Sequence, residues 1–134
     1  MEYLPMGELY FYLRRKEIPF PEALIRGVVA EIVVGMGVLH KFGVVYRELK
    51  PENILVTEKG HIKLTDYGLS KVIIEDKQSV STFVGSLEYM PPEAIEGNGE
   101  FGQKGDLWAL GVLMFELHFR ESPFGFEWRE GMPL

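Results

Sequence analysis

The chain contains no cysteine, only three histidines, and no apolar run as long as a membrane span. Without cysteine it can form no disulfide and can use no thiolate as a nucleophile or metal ligand. Its most apolar stretch, residues 32–39, is far shorter than the roughly 18–20 residues that a membrane helix needs. The N-terminus also lacks the basic and apolar regions of a signal peptide. We therefore expect a soluble, cytoplasmic (intracellular) protein with no membrane span.

Positive charge is scarce as well. The chain has 14 lysines and arginines against 20 acidic residues, which gives a net charge of −6. A nucleic-acid-binding protein usually presents a basic surface, so this balance argues against nucleic acid as a partner. A nucleotide site is still compatible with it, because a nucleotide needs only a few local donors and a metal ion.

The spacing of apolar residues predicts mostly helices. Over residues 22–41 they recur at intervals of about 3.6 residues, which is typical of a long helix packed on one side. A shorter helix is expected over residues 8–15. Residues 106–119 are apolar on nearly every face, which predicts a deeply buried helix with Asp106 as its N-cap.

Two short runs, residues 53–57 and 61–65, are rich in the apolar and β-branched residues of strands. Gly60 in their connection favours a hairpin. Residues 66–92 show no sustained period and are predicted to form a long loop, of the kind that is usually functional or disordered. The expected fold is therefore mainly α with a small β-hairpin.

Polar residues that can bind a metal ion flank this hairpin. Asn53 lies at its start, and Asp66, followed by Tyr67 and Gly68, lies at its end. A carboxylate and an amide oxygen that a hairpin brings together can coordinate Mg²⁺ along with phosphate oxygens. Lys50 could neutralise charge on a phosphoryl group in transfer. Taken alone, however, an aspartate and a glycine after a strand are more often a simple turn.

These residues belong to a set of motifs that resemble those of protein kinases in order and spacing. Residues 46–53 (YRELKPEN) resemble the catalytic loop in its AGC-type form. Residues 65–68 are similar to the Asp-Phe-Gly metal motif, and residues 90–93 to the Ala-Pro-Glu motif. Residues 1–7 resemble the hinge between the two kinase lobes. Residues 106–119 resemble the central buried helix of the family through three matching positions, Asp106, Trp108 and Gly111.

The resemblance implies an AGC-type serine/threonine protein kinase, which transfers the γ-phosphoryl group of ATP to a protein hydroxyl with the help of Mg²⁺. It also implies a partial kinase fold over residues 1–134, comprising the large C-terminal lobe with its activation segment at 66–93. The small N-lobe and the last C-lobe helices would be missing. Because kinase catalysis needs an N-lobe ion pair to align the ATP phosphates, we expect the chain by itself to be inactive.

The resemblance assigns catalytic positions to Glu48 and Lys50, and metal-binding positions to Asn53 and Asp66. Glu48 departs from the family, which has an aspartate there to accept the proton of the substrate hydroxyl. Unless the side chain folds back, the extra methylene moves the carboxylate by more than about 1 Å, and such a displacement can lower the rate on the order of 10²-fold. A second hypothesis is therefore a pseudokinase-like binding or scaffold module without catalysis.

ATP binding is assigned by the same resemblance to four further residues. Backbone groups of Glu2 and Leu4 would hydrogen-bond the adenine edge, while Glu8 would bind the ribose. Leu55 would form the apolar floor beneath the base. The implied substrate is a protein with basic residues near its acceptor hydroxyl. Glu116 could contact those residues, and a solvated or paired helix glutamate is the alternative interpretation.

Regulation is the last implication of the resemblance. Arg47, together with Lys71, would hold a phosphate that an upstream activating kinase places on Thr82. The alternative for Thr82 is an unmodified loop hydroxyl. Ser86 would brace the catalytic loop. His40, at the end of the long helix, is expected to pack or cap rather than to bind a metal ion.

Overall fold

Helices make up about half of the described part of the chain. The computed structural model describes residues 6–66, the backbone of 71–72, and residues 86–96 and 102–124. The helices are α1 (Leu9–Arg14), α2 (Glu22–Lys41), α3 (Pro92–Ile95) and α4 (Gln103–Phe119). The strands are β1 (Val44–Val45), β2 (Ile54–Val56), β3 (Ile62–Leu64) and β4 (Lys71–Val72), and two 3-10 turns cover Pro51–Asn53 and Leu87–Tyr89. This content agrees with the prediction of a mainly α fold with a small hairpin.

Helix α2 has the bounds that the apolar spacing predicted. Its buried stripe recurs at three- and four-residue intervals and consists of Ile25, Val28, Ile32 and Met36. The helix ends before Phe42, whose N–H donates to carbonyls one turn back. Gly43 then adopts a φ of 72°, a left-handed conformation that costs glycine little because it has no Cβ.

By length and composition alone, α2 could also cross a membrane. This result departs from the expectation that no segment of the chain would qualify. It is weak evidence for a span, because the core helix of a soluble protein can pass the same test. Ile32 and Met36 are buried in the core, which accounts for one stripe of α2, whereas Val34 on another face is 69% exposed.

Helix α4 differs from the prediction at its start and in its burial. Gly102 occupies the N-cap position, so Asp106 lies within the first turn instead of capping the helix. One face of the helix, which includes Leu113, is fully buried, whereas Leu107 is 57% exposed. Among the described elements, α2, β1 and the second 3-10 turn make the main contacts with α4. The prediction of burial on nearly every face is therefore wrong for the described structure, because these partners leave part of the helix surface uncovered.

Strands β2 and β3 form the predicted hairpin, which is one residue shorter at each end of both strands. Ile54 pairs with Leu64, and Gly60 in the connection has a φ of 81°. A second antiparallel pair, β1 with β4, was not predicted. The sequence pattern placed residues 71–72 in a long loop, because a two-residue strand carries no detectable period.

The core lies directly beneath residues 46–53. Tyr46, Leu49 and Ile54 are fully buried and belong to the same cluster as the inward side chains of α2 and α4. Burying an apolar side chain of this size stabilises the fold by roughly 1.5–3 kcal/mol. The segment that carries the polar motif residues is therefore anchored by the apolar residues between them.

Candidate active site

A buried aspartate fixes the backbone at the start of residues 46–53. Asp106 is 0% exposed, and its two carboxylate oxygens accept the N–H groups of Tyr46 and Arg47, each at 2.8 Å. Arg47 has a φ of 67°, a left-handed conformation that costs a non-glycine residue roughly 1–2 kcal/mol. Such strain persists only where the surrounding structure enforces it. The Asp106 carboxylate is the group that enforces it here.

His40 is a third partner of the same carboxylate. Its Nε2 lies 2.7 Å from Asp106 Oδ2, and Gln103 Nε2 donates to the His40 carbonyl. The three bonds join α2, α4 and the loop through one buried charge. Sequence reasoning missed this link because the partners are about 60 positions apart in the chain. The available signal was a carboxylate near the start of a largely apolar helix, since buried charges require partners.

Three of the four predicted catalytic and metal-binding residues are in direct contact. Glu48, which is 6% exposed, has its Oε2 3.0 Å from Lys50 Nζ. Asn53 Nδ2 donates to the Glu48 backbone carbonyl at 2.8 Å and to its Oε2 at 3.3 Å. Lys50 Nζ also donates to Ser86 Oγ at 3.3 Å. Glu48, Lys50 and Asn53 thus form one hydrogen-bonded cluster with Ser86.

The fourth residue, Asp66, follows the hydrogen bonds that close the hairpin. The Thr65 N–H and hydroxyl both donate to the Asn53 carbonyl, at 2.9 and 3.2 Å. The Tyr46 hydroxyl donates to the Thr65 carbonyl. Asp66 comes next, exposed and with a φ of 57°. Thr65, the residue before Asp66, is therefore bonded to both ends of the segment 46–53.

The oxygen atoms of this region suit Mg²⁺. Both side-chain hydrogen bonds of Asn53 use Nδ2, which leaves Oδ1 as the amide atom that can coordinate a cation. The carboxylate of Asp66 would be the second hard ligand. In the described ranges no three histidine, cysteine or acidic side chains form a metal-binding group. A site with two protein ligands matches a cation that takes its other ligands from phosphates and water.

The assigned ATP-binding residues are only partly described. Glu8 and Leu55 form an antiparallel bridge, and the neighbouring Val56 N–H donates to the Gly7 carbonyl at 2.9 Å. The half-buried Leu55 therefore lies next to the chain segment that would carry the ribose ligand. Glu2 and Leu4 lie outside the described residues.

The assigned regulatory residues are likewise described in part. Burial lowers the pKa of Arg47, while the charges of Asp106 and Glu48 oppose that change. The backbone of Lys71 pairs with Val45, two residues before Arg47. Ser86 contacts Lys50, as described above, and Thr82 lies outside the described residues.

Glu116 is buried, and the Tyr89 hydroxyl donates to its Oε2. Burial raises the pKa of Glu116, although the Tyr89 bond and the charge of Arg14 lower it. A buried and hydrogen-bonded carboxylate agrees with the paired-glutamate interpretation, and not with an open surface contact for basic substrates.

Comparison with known proteins gives one consistent family. Residues 1–131 match the protein kinase domain. The chain is similar to ribosomal protein S6 kinase 2 alpha of Xenopus laevis and to ribosomal protein S6 kinase alpha-1 of Homo sapiens. Each is 43% identical over 135 residues, and the match covers 100% of this chain but 18% of the relative. Protein kinase 3 of Dictyostelium discoideum is 43% identical over 133 residues, which is 92% of this chain and 14% of that protein. The chain belongs to the protein kinase family, and its similarity to the S6 kinases confirms the AGC-type resemblance.

Proposed function

We propose that the chain supplies the large-lobe part of an ATP- and Mg²⁺-dependent serine/threonine protein kinase. The observation that carries this proposal is the contact of Lys50 and Asn53 with Glu48, beside the hairpin end that bears Asp66. Family membership supports the reaction class. The contacts support the choice of residues.

The proposed roles follow from charge and hydrogen bonding. Asn53 and Asp66 would hold Mg²⁺, which neutralises charge on the ATP phosphates when it is bound. The Lys50 ammonium would stabilise the γ-phosphoryl oxygens in transfer. Glu48 would accept the proton of the substrate hydroxyl, and Ser86 would keep Lys50 in position.

Glu48 limits the rate in this proposal. Its Oε2 is within 3.0 Å of Lys50 Nζ and 3.3 Å of Asn53 Nδ2, so the longer side chain is directed toward its own loop. A carboxylate held there would be displaced from the position that an aspartate would occupy, and about 1 Å of displacement can cost on the order of 10²-fold. The same contact favours the second candidate function, a binding or scaffold module that does not catalyse.

The remaining assignments are proposed on the family resemblance. Glu2, Leu4, Glu8 and Leu55 would bind the adenosine part of ATP. The partners would be a protein substrate with basic residues near the acceptor, and an upstream activating kinase. The expected location is the cytoplasm.

A second set of proposed residues would regulate the kinase. Arg47 and Lys71 would bind a phosphate on Thr82. A phosphothreonine carries a charge of about −1.5 to −2 and can order a loop through such cations.

Nucleotide titration tests the proposed site. We expect ATP to shift the NMR amide signals of Asn53 and Asp66 only when Mg²⁺ is present, and Asp66→Asn to weaken the Mg²⁺ dependence. Glu22→Gln is the matched control, because Glu22 pairs only with Arg26 on the exposed face of α2 in the described structure. Identical titrations with and without Mg²⁺ would refute the assignment.

Phosphoryl transfer is a separate test. With labelled ATP and a basic peptide, we expect no measurable transfer by the chain alone. Robust transfer that Glu48→Ala abolishes would overturn the expectation of inactivity and exclude the scaffold alternative.

A further inference from the structure

We infer that Glu31 is a positioning residue for the metal-binding pair, because its carboxylate anchors strand β3 to helix α2. Glu31 lies in the middle of α2, on the side that faces the hairpin. The chemistry that it would support rests on the proposed function, whereas the anchoring itself does not.

The anchor consists of two hydrogen bonds from one carboxylate. Oε1 of Glu31 lies 2.9 Å from His61 Nδ1, and Oε2 accepts the backbone N–H of Ile62 at 2.9 Å. The His61 bond, followed by the Ile62 N–H, lowers the pKa of Glu31, so the group is charged at neutral pH. A charged acceptor makes a stronger hydrogen bond to a backbone N–H than a neutral one does.

The hairpin needs an external anchor because it is small. Each strand has three residues, and a two-stranded hairpin of this size is marginally stable in water by itself. A second contact with α2 lies further along β3, where a Cβ added at Gly35 would lie 3.3 Å from Leu64 Cδ1. Helix α2 therefore fixes β3 by a polar bond at its first residue and by close packing at its last.

The anchor affects the proposed metal site because β3 leads directly to Asp66. Leu64 is followed by Thr65, whose N–H donates to the Asn53 carbonyl, and then by Asp66. A displacement of β3 at Ile62 is carried along an extended strand to Thr65, about 10 Å further at roughly 3.3 Å per residue. The distance between the two proposed metal ligands would then depend on an anchor that touches neither of them.

Hydrogen exchange measured on the full chain tests the anchor directly. We expect Glu31→Ala to speed exchange of the Thr65 amide by roughly tenfold, because a bond to a charged group is lost. The α4 amides, such as that of Leu113, should change much less. Glu31→Gln should restore part of the protection, because an amide oxygen can still accept the Ile62 N–H. Glu22→Ala, which removes an exposed ion pair from the same helix, should leave Thr65 unchanged.

Mg²⁺·ATP titration of the same variants distinguishes the positioning role of Glu31 from the proposed function of the site. We expect Glu31→Ala to weaken the Mg²⁺-dependent shifts of Asn53 and Asp66 several-fold, and Glu31→Gln to weaken them less. Equal acceleration of exchange at Thr65 and in α4 would mean general destabilisation and would overturn the inference, as would no change at Thr65. If the unaltered chain shows no Mg²⁺·ATP binding, the proposed function fails, and the exchange result alone decides the role of Glu31.

Discussion

The loop of residues 46–53 and the hairpin are held in place by different means. Residues 46–53 rest on a buried apolar cluster, and a fully buried carboxylate, Asp106, fixes their backbone. The end of the hairpin is more exposed, and its anchors are the bonds of Thr65 and the partly exposed carboxylate of Glu31. The loop is therefore determined by the core of the protein, whereas the position of Asp66 depends on a few polar contacts and on the packing of the partly buried Leu64 against α2.

The largest effect should come from removing the buried carboxylate under the loop. We expect Asp106→Ala to destabilise the chain by about 3–5 kcal/mol, because two backbone N–H groups and His40 lose a charged partner. Urea denaturation followed by circular dichroism measures the change. Asp106→Asn keeps one acceptor oxygen and should lose less. A loss below about 1 kcal/mol for Asp106→Ala would contradict the central role of this group.

The next largest effects should come from shortening apolar side chains, which should lower the free energy of unfolding more beneath the loop than in the hairpin. Leu49→Ala, beneath the loop, should cost about 3 kcal/mol, because it leaves a cavity in close-packed surroundings. Val56→Ala, in the half-buried hairpin, should cost roughly 1 kcal/mol. The same denaturation experiment measures both. Equal losses would show that the hairpin is as firmly packed as the loop.

The rate of phosphoryl transfer should depend on the length of the side chain at position 48. In a complete kinase domain that carries this segment, we expect Glu48→Asp to raise kcat by up to about 10²-fold, because the shorter carboxylate reaches the substrate hydroxyl in the correct position. Steady-state phosphoryl transfer measures this, with Glu48→Ala as the inactive reference. An unchanged or lower kcat would exclude displacement of the carboxylate as the limiting factor.

The smallest expected effect concerns Glu116, a buried carboxyl that feels the charge of Arg14 but forms no ion pair among the described residues. Burial raises the pKa of Glu116 above its ordinary value of 4.5, so the folded state favours the protonated form. Its contribution to stability is therefore present below pH 4.5 and is lost as the pH rises through the raised pKa. Glu116→Gln should remove this dependence and raise stability at pH 7 by about 1 kcal/mol or less. Denaturation curves from pH 4 to pH 7 for the unaltered chain and for Glu116→Gln check whether this contribution to stability falls as the pH rises.

How much the sequence could predict depends on the range of each interaction. The apolar stripe of α2 is a local signal, and both of its ends were predicted correctly. The hairpin was predicted to within one residue at each end, since Gly60 marks its turn. The role of Asp106 was missed, because its partners lie about 60 residues away and leave no local pattern.

The candidate site itself was identified through family resemblance rather than through periodicity. Glu48, Lys50, Asn53 and Ser86 are in contact, and their assignment as site residues stays a prediction. The anchor at Glu31 had no counterpart in the sequence reasoning. A glutamate in the middle of an amphipathic helix looks the same whether it is solvated or bonded to a distant strand.

The most direct test of a shared metal site uses Mn²⁺, a paramagnetic ion that prefers the same oxygen ligands as Mg²⁺. In the presence of ATP, trace Mn²⁺ should broaden the NMR signals of the Asn53 side-chain amide and the Asp66 backbone amide together, and Asp66→Asn should diminish both effects. Broadening of one residue without the other, or equal broadening at Glu22, would contradict a common site.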